Sequence, residues 1–267
     1  MKNKTLLVSR EHRSENTIVR CGKNNQVEFG GNTPQIIAGP CAVESREQIL
    51  RIARNVQKCG ATLLRGGAFK PRTSPYSFQG LGELGLQYLL EAKEQTGLPV
   101  VSEIMDVSQI DLFENVDILQ VGARSMQNFQ LLKSLGQLNK PILLKRGFQN
   151  TVDEFLLCAE YLMSHGNRKI ILCERGIRSF DPLMPFSLDI SVVPLLKEKT
   201  HLPIIVDPSH ATANSKLVVP MARAALLVGA DGVMVETHDK PEDALCDGDN
   251  AIGYEELKSI TMNKRET

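Results

Sequence analysis

Two hydrophobic periods alternate along this chain, and that alternation constrains its fold more than any other feature. Short apolar runs of strand length stand at Gln35–Gly39, Thr62–Arg65, Pro99–Glu103, Asp117–Val121, Pro141–Lys145, Lys169–Glu174, Pro203–Asp207 and Gly232–Glu236. Longer stretches between them carry apolar residues three and four apart, the helical spacing. In Ser45–Cys59, Ile49, Ile52, Ala53 and Val56 share one face, and Gly60 follows as a helix stop. Gly82–Thr96, Gln127–Gly136, Thr151–Ser164, Ser187–Thr200 and Asn214–Val228 read the same way. Several runs open with proline after such a stop, as in Gly97-Leu98-Pro99 and His201-Leu202-Pro203. A strand–helix unit of roughly 30 residues, repeated about eight times, fits a closed barrel.

The sequence therefore predicts an α/β chain, a (β/α)8 TIM barrel over 34–267. The alternative is an open doubly wound sheet. No G-x-G-x-x-G follows the first run, however, and the Gly30-Gly31 pair precedes it. Residues 1–33 read as a tail and hairpin: Met1 to Asn16 is polar and expected to be loose. Thr17–Cys21 and Gln26–Phe29 flank the turn signal Gly22-Lys23-Asn24-Asn25, and this hairpin is expected to cover the barrel bottom.

Charge and cysteine usage narrow the partners. The chain balances 31 basic against 31 acidic residues, so nothing draws it as a whole to nucleic acid or to a membrane surface. Its apolar runs are too short to span a bilayer. Six cysteines (21, 41, 59, 158, 173 and 246) are scattered without a C-x-x-C pair. With no apolar signal after Met-Lys-Asn-Lys-Thr, the reading is a reduced, cytoplasmic protein.

In such a barrel the chemistry stands where strands end at their carboxyl side. Arg65, Lys70, Arg72, Arg124, Lys145, Arg146 and Arg175 gather there as cations in a chain with no net charge. Concentrated like charge calls for anions, so phosphates and carboxylates are the expected occupants, and the number of cations suggests two anionic substrates. Cys41, His210, Glu236 and a later carboxylate form a second set, suited to a divalent transition metal acting as a Lewis acid. Taken singly, each has an ordinary explanation. A lone arginine after a strand is usually an ion-pair partner, a lone cysteine a small buried hydrophobe, and a lone histidine a capping group. Asp207 either orients a neighbour or ends a strand. His238 reads as a bystander, and His165 as a cation near a helix end. Cys59 and Cys158 read as packing residues.

Three segments resemble one family. They are Ile37-Ala38-Gly39-Pro40-Cys41-Ala42-Val43-Glu44-Ser45, the run from Arg65-Gly66-Gly67-Ala68-Phe69-Lys70-Pro71-Arg72-Thr73-Ser74-Pro75 to Gly80, and Asp207-Pro208-Ser209-His210-Ala211-Thr212. They are similar to 3-deoxy-D-arabino-heptulosonate 7-phosphate (DAHP) synthases of the short type I beta form, relatives of 3-deoxy-octulosonate 8-phosphate synthases. The Lys-Pro-Arg-Thr-Ser-Pro stretch favours the heptulosonate enzyme.

The resemblance implies condensation of phosphoenolpyruvate with erythrose 4-phosphate, the first step of the shikimate pathway and of aromatic amino acid biosynthesis. It implies metal ligands at Cys41, His210, Glu236 and Asp247, with Mn, Fe, Co or Zn all compatible. It puts phosphoenolpyruvate against Arg65, Lys70, Glu103, Gly122, Ala123, Arg124, Lys145 and Arg175, and erythrose 4-phosphate against Lys70, Pro71, Arg72, Thr73 and Ser74. Lys70 is the expected proton donor to the developing alkoxide, acting with Cys41 and His210 as the catalytic group. A homo-oligomer, dimer or tetramer, is implied as well.

The chain departs from the family pattern after Arg175-Gly176-Ile177-Arg178-Ser179-Phe180. Where relatives usually carry Thr-Arg-Asn-Thr, it reads Met184-Pro185-Phe186-Ser187. Two alternatives therefore stay open: a related synthase using another aldose phosphate, and a catalytically silent sugar-phosphate-binding barrel. Cys246 stands beside Asp247, so an approach to Cys41 would allow the two thiols to be oxidised together. The residues before the first run are too few for an added regulatory domain, and weak or no inhibition by single aromatic amino acids is expected.

Overall fold

The structure, a computed structural model, describes residues 5–263. A hairpin comes first, formed by antiparallel strands β1 (Val19–Cys21) and β2 (Val27–Phe29). The repeating units then follow. Strand β3 (Gln35–Gly39) leads to helix α1 (Arg46–Lys58), β4 (Leu63–Arg65) to α2 (Glu83–Thr96), and β5 (Val100–Glu103) to a 3-10 turn at Val107–Phe113. Next are β6 (Ile118–Val121) with α3 (Phe129–Gly136), β7 (Ile142–Lys145) with α4 (Val152–Ser164), and β8 (Ile170–Glu174). A small hairpin, β9 (Ile177–Arg178) and β10 (Phe186–Ser187), precedes α5 (Val192–Lys199). Strand β11 (Ile204–Val206) is followed by α6 (Pro208–Thr212) and α7 (Ser215–Leu227), and β12 (Gly232–Glu236) by α8 (Tyr254–Asn263).

The strands β3 to β8, β11 and β12 close into a parallel barrel, with β12 pairing back onto β3 from Gly232↔Gln35 to Glu236↔Gly39. This is the (β/α)8 barrel the periodicity predicts. No helix among the described residues is long and apolar enough to cross a membrane.

Local chemistry explains where the helices begin. Ser45 caps α1 by accepting from the Gln48 amide, and Thr151 forms a reciprocal capping box with Glu154 on α4. Gly60, with φ at +87°, closes α1 in the left-handed region, as expected. Two stretches differ from the sequence reading. The segment after β5 holds only a 3-10 turn, capped by Asp106, in place of a full helix. The helix expected over Ser187–Thr200 starts at Val192, because Phe186 and Ser187 pair with Arg178 and Ile177 and hold that backbone extended.

The core has two layers. One lies between strands and helices and includes Ile36, Leu64, Leu119, Leu144, Leu172 and Val235. The other fills the barrel lumen with Ile37, Leu63, Val101, Ile118, Leu143, Ile171, Cys173, Ile205 and Met234. The period of two along each strand sends neighbours to opposite layers. The lumen cluster continues into Val19, Cys21, Val27 and Phe29 of the first hairpin, which covers the end where the strands begin. Gln26 Nε2 donates to the Gly97 carbonyl just before β5, and the Thr17 amide donates to that of His201 before β11.

The segment before this hairpin is not loose over its described part. Val8 is fully buried, Ser9 bridges Thr200 in antiparallel fashion, and the Val8 amide donates to Glu160 at 3.1 Å. The Leu6-Leu7-Val8 run supplies the apolar anchor that a polar average conceals. Met1 to Lys4 lie outside the described residues.

Candidate active site and metal centre

The alternation that fills the lumen also loads its mouth. Continuing the inward-facing series past the last apolar residue of each strand gives Cys41 after β3, Arg65 on β4, Glu103 on β5 and Gln120 on β6. It then gives Lys145 on β7, Arg175 after β8, Asp207 after β11 and Glu236 on β12. Eight strands therefore deliver eight polar or reactive groups above one apolar plug.

On one side of this mouth, Cys41, His210, Glu236 and Asp247 bring one potential ligand atom each to within 4.8 Å of one another. Their environment fits a cation. Glu236 is fully buried, yet neither of its oxygens accepts a hydrogen bond, although Arg65 Nη1 lies 3.2 Å away and His210 Nε2 3.1 Å away. Stripped of water and unbonded, such a carboxylate needs positive charge nearby. Burial opposes ionisation of Glu236, but His210 and Arg65 outweigh it and hold its pKa far below the usual range.

Burial likewise opposes a charged His210, but Asp207 and Glu236 overcome it and push its pKa up to about 10. Without metal, a proton does the neutralising that an ion would do, so metal binding would release it. Asp207 accepts from His210 Nδ1 at 2.7 Å and from the His210 amide at 3.0 Å, which leaves Nε2 as the nitrogen that could hold a metal ion. The Glu236 amide is tied to Ser209 Oγ at 2.9 Å.

Cys41 and Cys246 stand Sγ to Sγ at 3.2 Å, and Cys41 also lies 3.1 Å from Asp247 Oδ2. Hydrogen bonding between the two sulfurs, with burial, raises the Cys41 pKa. The same bond lowers that of Cys246, whose sulfur accepts from Arg72. Lys70 Nζ lies 3.0 Å from Cys41 Sγ and 3.2 Å from the Cys41 carbonyl. Burial alone would lower the Lys70 pKa, but the two sulfurs and the Glu103 carboxylate raise it, so Lys70 stays an ammonium group. Gly67 makes room for it: a Cβ there would stand 2.7 Å from both the Cys41 oxygen and Lys70 Cδ.

Against this cluster lies a cavity of about 270 Å³ lined by Arg65, Lys70, Glu103, Gly122, Ala123, Arg124, Lys145 and Arg175, together with Pro71, Arg72, Thr73 and Ser74. His210 and Asp247 reach the same space. Every residue that the resemblance assigns to substrate therefore borders one cavity. Gly122 lets the Glu103 carboxylate lie close against it, since a Cβ there would fall 2.0 Å from Glu103 Oε1 and push that side chain away.

Its cations differ in what they already hold. Lys145 is hydrogen-bonded to Asp207, and Arg65 faces Glu236 as an ion pair without a hydrogen bond. Among the described residues, no carboxylate pairs with Lys70, Arg124 or Arg175.

Arg146 does not belong to the ring. It turns into the helix layer, donating to Glu174 and Asp189 at 3.0 Å each and to the Asn150 carbonyl. Arg146 directly follows Lys145, the last residue of β7, so the alternation that turns Lys145 to the mouth turns Arg146 away from it. The same rule would have found Gln120, which donates to Glu103 Oε2 at 3.2 Å. Ser77 and Phe148 also line the cavity, and nothing in their local sequence marks them. His238 contacts Gln48 and faces Glu44, away from the cluster, and His165 Nδ1 meets the Tyr161 carbonyl at its helix end. Cys158 is buried among core residues, and Cys59 packs against them.

Residues 14–267 match the DAHP synthetase I family. The chain belongs to that family. It is 50% identical over 261 residues to a phospho-2-dehydro-3-deoxyheptonate aldolase of Thermotoga maritima, covering 97% of this chain and 76% of the relative. A crystal structure of the Thermotoga maritima phospho-2-dehydro-3-deoxyheptonate aldolase (DAHP synthase) superposes with a TM-score of 0.93 at 49% identity, covering 98% of this chain and 76% of that one. A truncated form of the 3-deoxy-D-arabino-heptulosonate 7-phosphate synthase from the same organism gives 0.89 at 46% identity, covering 97% and 95%. More distant relatives include a 2-dehydro-3-deoxyphosphooctonate aldolase of Syntrophotalea carbinolica, 34% identical over 253 residues, covering 87% of this chain and 90% of the relative. The family membership makes the chain an enzyme of this class, with the mouth just described as its candidate active site.

Proposed function

We propose that this enzyme condenses phosphoenolpyruvate with erythrose 4-phosphate, giving 3-deoxy-D-arabino-heptulosonate 7-phosphate and inorganic phosphate, the first step of the shikimate pathway. The observation that carries this reading is the meeting of two charge environments in one cavity. A cluster of thiol, imidazole and two carboxylates adjoins Lys70, Arg124 and Arg175, cations with no carboxylate partner among the described residues. Cys41, His210, Glu236 and Asp247 would hold a divalent ion, for which Mn, Fe, Co and Zn all tolerate the ligand mix. When bound, that ion supplies Lewis acidity to the aldehyde oxygen.

The chain's own residues do the rest. Arg65, Arg124, Lys145 and Arg175 hold the phosphate and carboxylate of phosphoenolpyruvate, with Glu103, Gly122 and Ala123 closing that side. Pro71, Arg72, Thr73 and Ser74 receive the sugar phosphate. Carbon 3 of phosphoenolpyruvate attacks the aldehyde carbon, and Lys70 delivers its proton to the resulting alkoxide. Positive charge at carbon 2 is taken by water, whose proton leaves to solvent. The hemiketal phosphate then expels inorganic phosphate. The positioning and charge complementarity come from groups already fixed on strand ends.

A second reading, a related synthase taking another aldose phosphate, draws on the altered Met184–Ser187 segment and on the octulosonate relatives. Phosphate release from phosphoenolpyruvate, measured with erythrose 4-phosphate and with arabinose 5-phosphate, each with and without chelator, separates the two. Chelator-sensitive release with erythrose 4-phosphate alone is expected. Release only with the pentose favours the second reading, and release with neither leaves a silent sugar-phosphate-binding barrel. The family resemblance also supports a cytoplasmic homo-oligomer, a dimer or tetramer, whose stoichiometry sedimentation would read.

A further inference from the structure

We propose that Phe148 and Phe186 form an aromatic shelf that fixes the Arg175 guanidinium for an anionic group of the substrate, making both of them positioning residues. This rests on the reaction proposed above. Phe148 follows Gly147 in the loop after β7, and Phe186 lies on β10 of the small hairpin. Their ring centroids are 5.3 Å apart, with the planes inclined by 28°. The Arg175 guanidinium carbon stands 4.7 Å from the Phe148 centroid and 4.2 Å from that of Phe186. Arg124 and Arg178 approach the same Phe148 ring at 5.2 and 5.8 Å. The hairpin is tied to this loop by the Arg178 amide, which donates to the Phe148 carbonyl at 2.6 Å.

The need for a shelf follows from what Arg175 lacks. The residue is only 5% exposed, yet its N–H groups bond to two backbone carbonyls, of His210 at 3.0 Å and Gly176 at 3.4 Å, and to no carboxylate among the described residues. A guanidinium so placed has lost water without gaining an ion pair, which is costly. A carboxylate beside it would repair the loss but would also cancel its charge and repel a phosphate. Aromatic faces are the alternative: their quadrupole attracts the cation without bringing net charge. The two rings therefore offset part of the hydration Arg175 has lost, hold its plane, and leave its attraction for an incoming anion intact. Arg124, an exposed residue, meets the same ring, so Phe148 gathers two cavity cations.

The test uses the full chain with phenylalanine analogues at position 186 carrying increasing numbers of ring fluorines, which weaken the negative face while nearly preserving shape. Calorimetric titration with inorganic phosphate reads the shelf without turnover, and steady-state rates of the Mn-loaded protein read it during turnover. The expected result is a stepwise rise in the phosphate Kd and in the phosphoenolpyruvate KM, reaching about tenfold. The parameters kcat and the aldose phosphate KM should stay near their parent values. Phe186→Tyr should retain parent affinity, and Phe186→Leu should lose it at an unchanged melting temperature. A phosphate Kd flat across the series, no phosphate binding by the parent chain, or a change confined to the aldose phosphate KM would overturn the proposal. A graded phosphate Kd in a chain that releases no phosphate from phosphoenolpyruvate would instead reject the reaction and keep the shelf.

Discussion

At the scale of single residues, Asp207 links the two halves of the mouth. One of its oxygens accepts from Lys145 in the cationic ring and from His210 in the thiol, imidazole and carboxylate cluster. Asp207→Asn would weaken the hold on the imidazole and leave Lys145 without its counter-charge. Metal affinity is expected to fall about 10- to 100-fold, measured by competition with a chelator of known strength. Lys70→Ala removes the proposed proton donor, and kcat should drop on the order of 10³-fold. The far-UV spectrum and melting temperature should be retained; near-normal turnover would take Lys70 out of this role. The Cys41 and Cys246 sulfurs touch. Diamide, accepting two hydrogens, is expected to join them in metal-free protein and consume two of the six thiols. Bound metal or Cys246→Ser should prevent this, and six thiols surviving treatment would reject it. Cys41, Glu236 and Arg65 were legible because each ends or follows a strand. Asp247, on a left-handed residue (φ +54°) between short turns, was reached only through family resemblance, since no periodicity extends that far into a loop.

Among the elements, the barrel strands were readable almost to the residue, because burial on both faces leaves an unbroken apolar run. The β9–β10 hairpin was not. Its four paired residues carry no alternation long enough to register, and its backbone pairing overrides the helical spacing that follows. Pro185-Phe186, which the sequence reading sets apart from the family pattern, falls in this hairpin, and Phe186 contacts Arg175 there. The N-terminal segment was not legible for a different reason: besides its short apolar run, it is tied down by groups from far along the chain, one of them a histidine. His201 Nε2 donates to the Leu7 carbonyl at 2.8 Å, so its Nδ1 accepts from the Thr17 hydroxyl at 2.7 Å. Burial, with Arg13 and Arg10 nearby, lowers its pKa below the ordinary 6.5. The unfolded chain therefore binds this proton at a higher pH than the folded one. The contribution to stability is complete above 6.5 and is lost as pH falls from there toward the folded value. Melting temperatures followed from about pH 7.5 down to 5 should fall more steeply for the parent than for His201→Gln. Parallel curves would assign the acid sensitivity elsewhere.

For the molecule as a whole, the barrel lumen is one packed column running from Phe29 on the covering hairpin to the polar mouth. Leu143 stands in that column and is fully buried. Leu143→Ala is expected to cost about 2–5 kcal/mol, measured by denaturant unfolding. Loss of turnover should accompany it only to the extent that Lys145, two residues on, shifts. A cost under about 1 kcal/mol would mean that the column collapses to fill the gap. The fold was legible at this scale because strand–helix repetition is a property of the entire chain. The roles of Phe148 and Ser77 were not, because they depend on loops meeting across the mouth.

Inward and outward faces alternate with every residue, so this architecture tolerates change unequally along its length. Insertions between elements are absorbed in turns, but one residue added within β7 before Leu143 would send Lys145 outward among the helices and shift its neighbours to the wrong side. Length variation in a lineage built on this plan should therefore collect in connections and spare the staves, or else enter them in pairs.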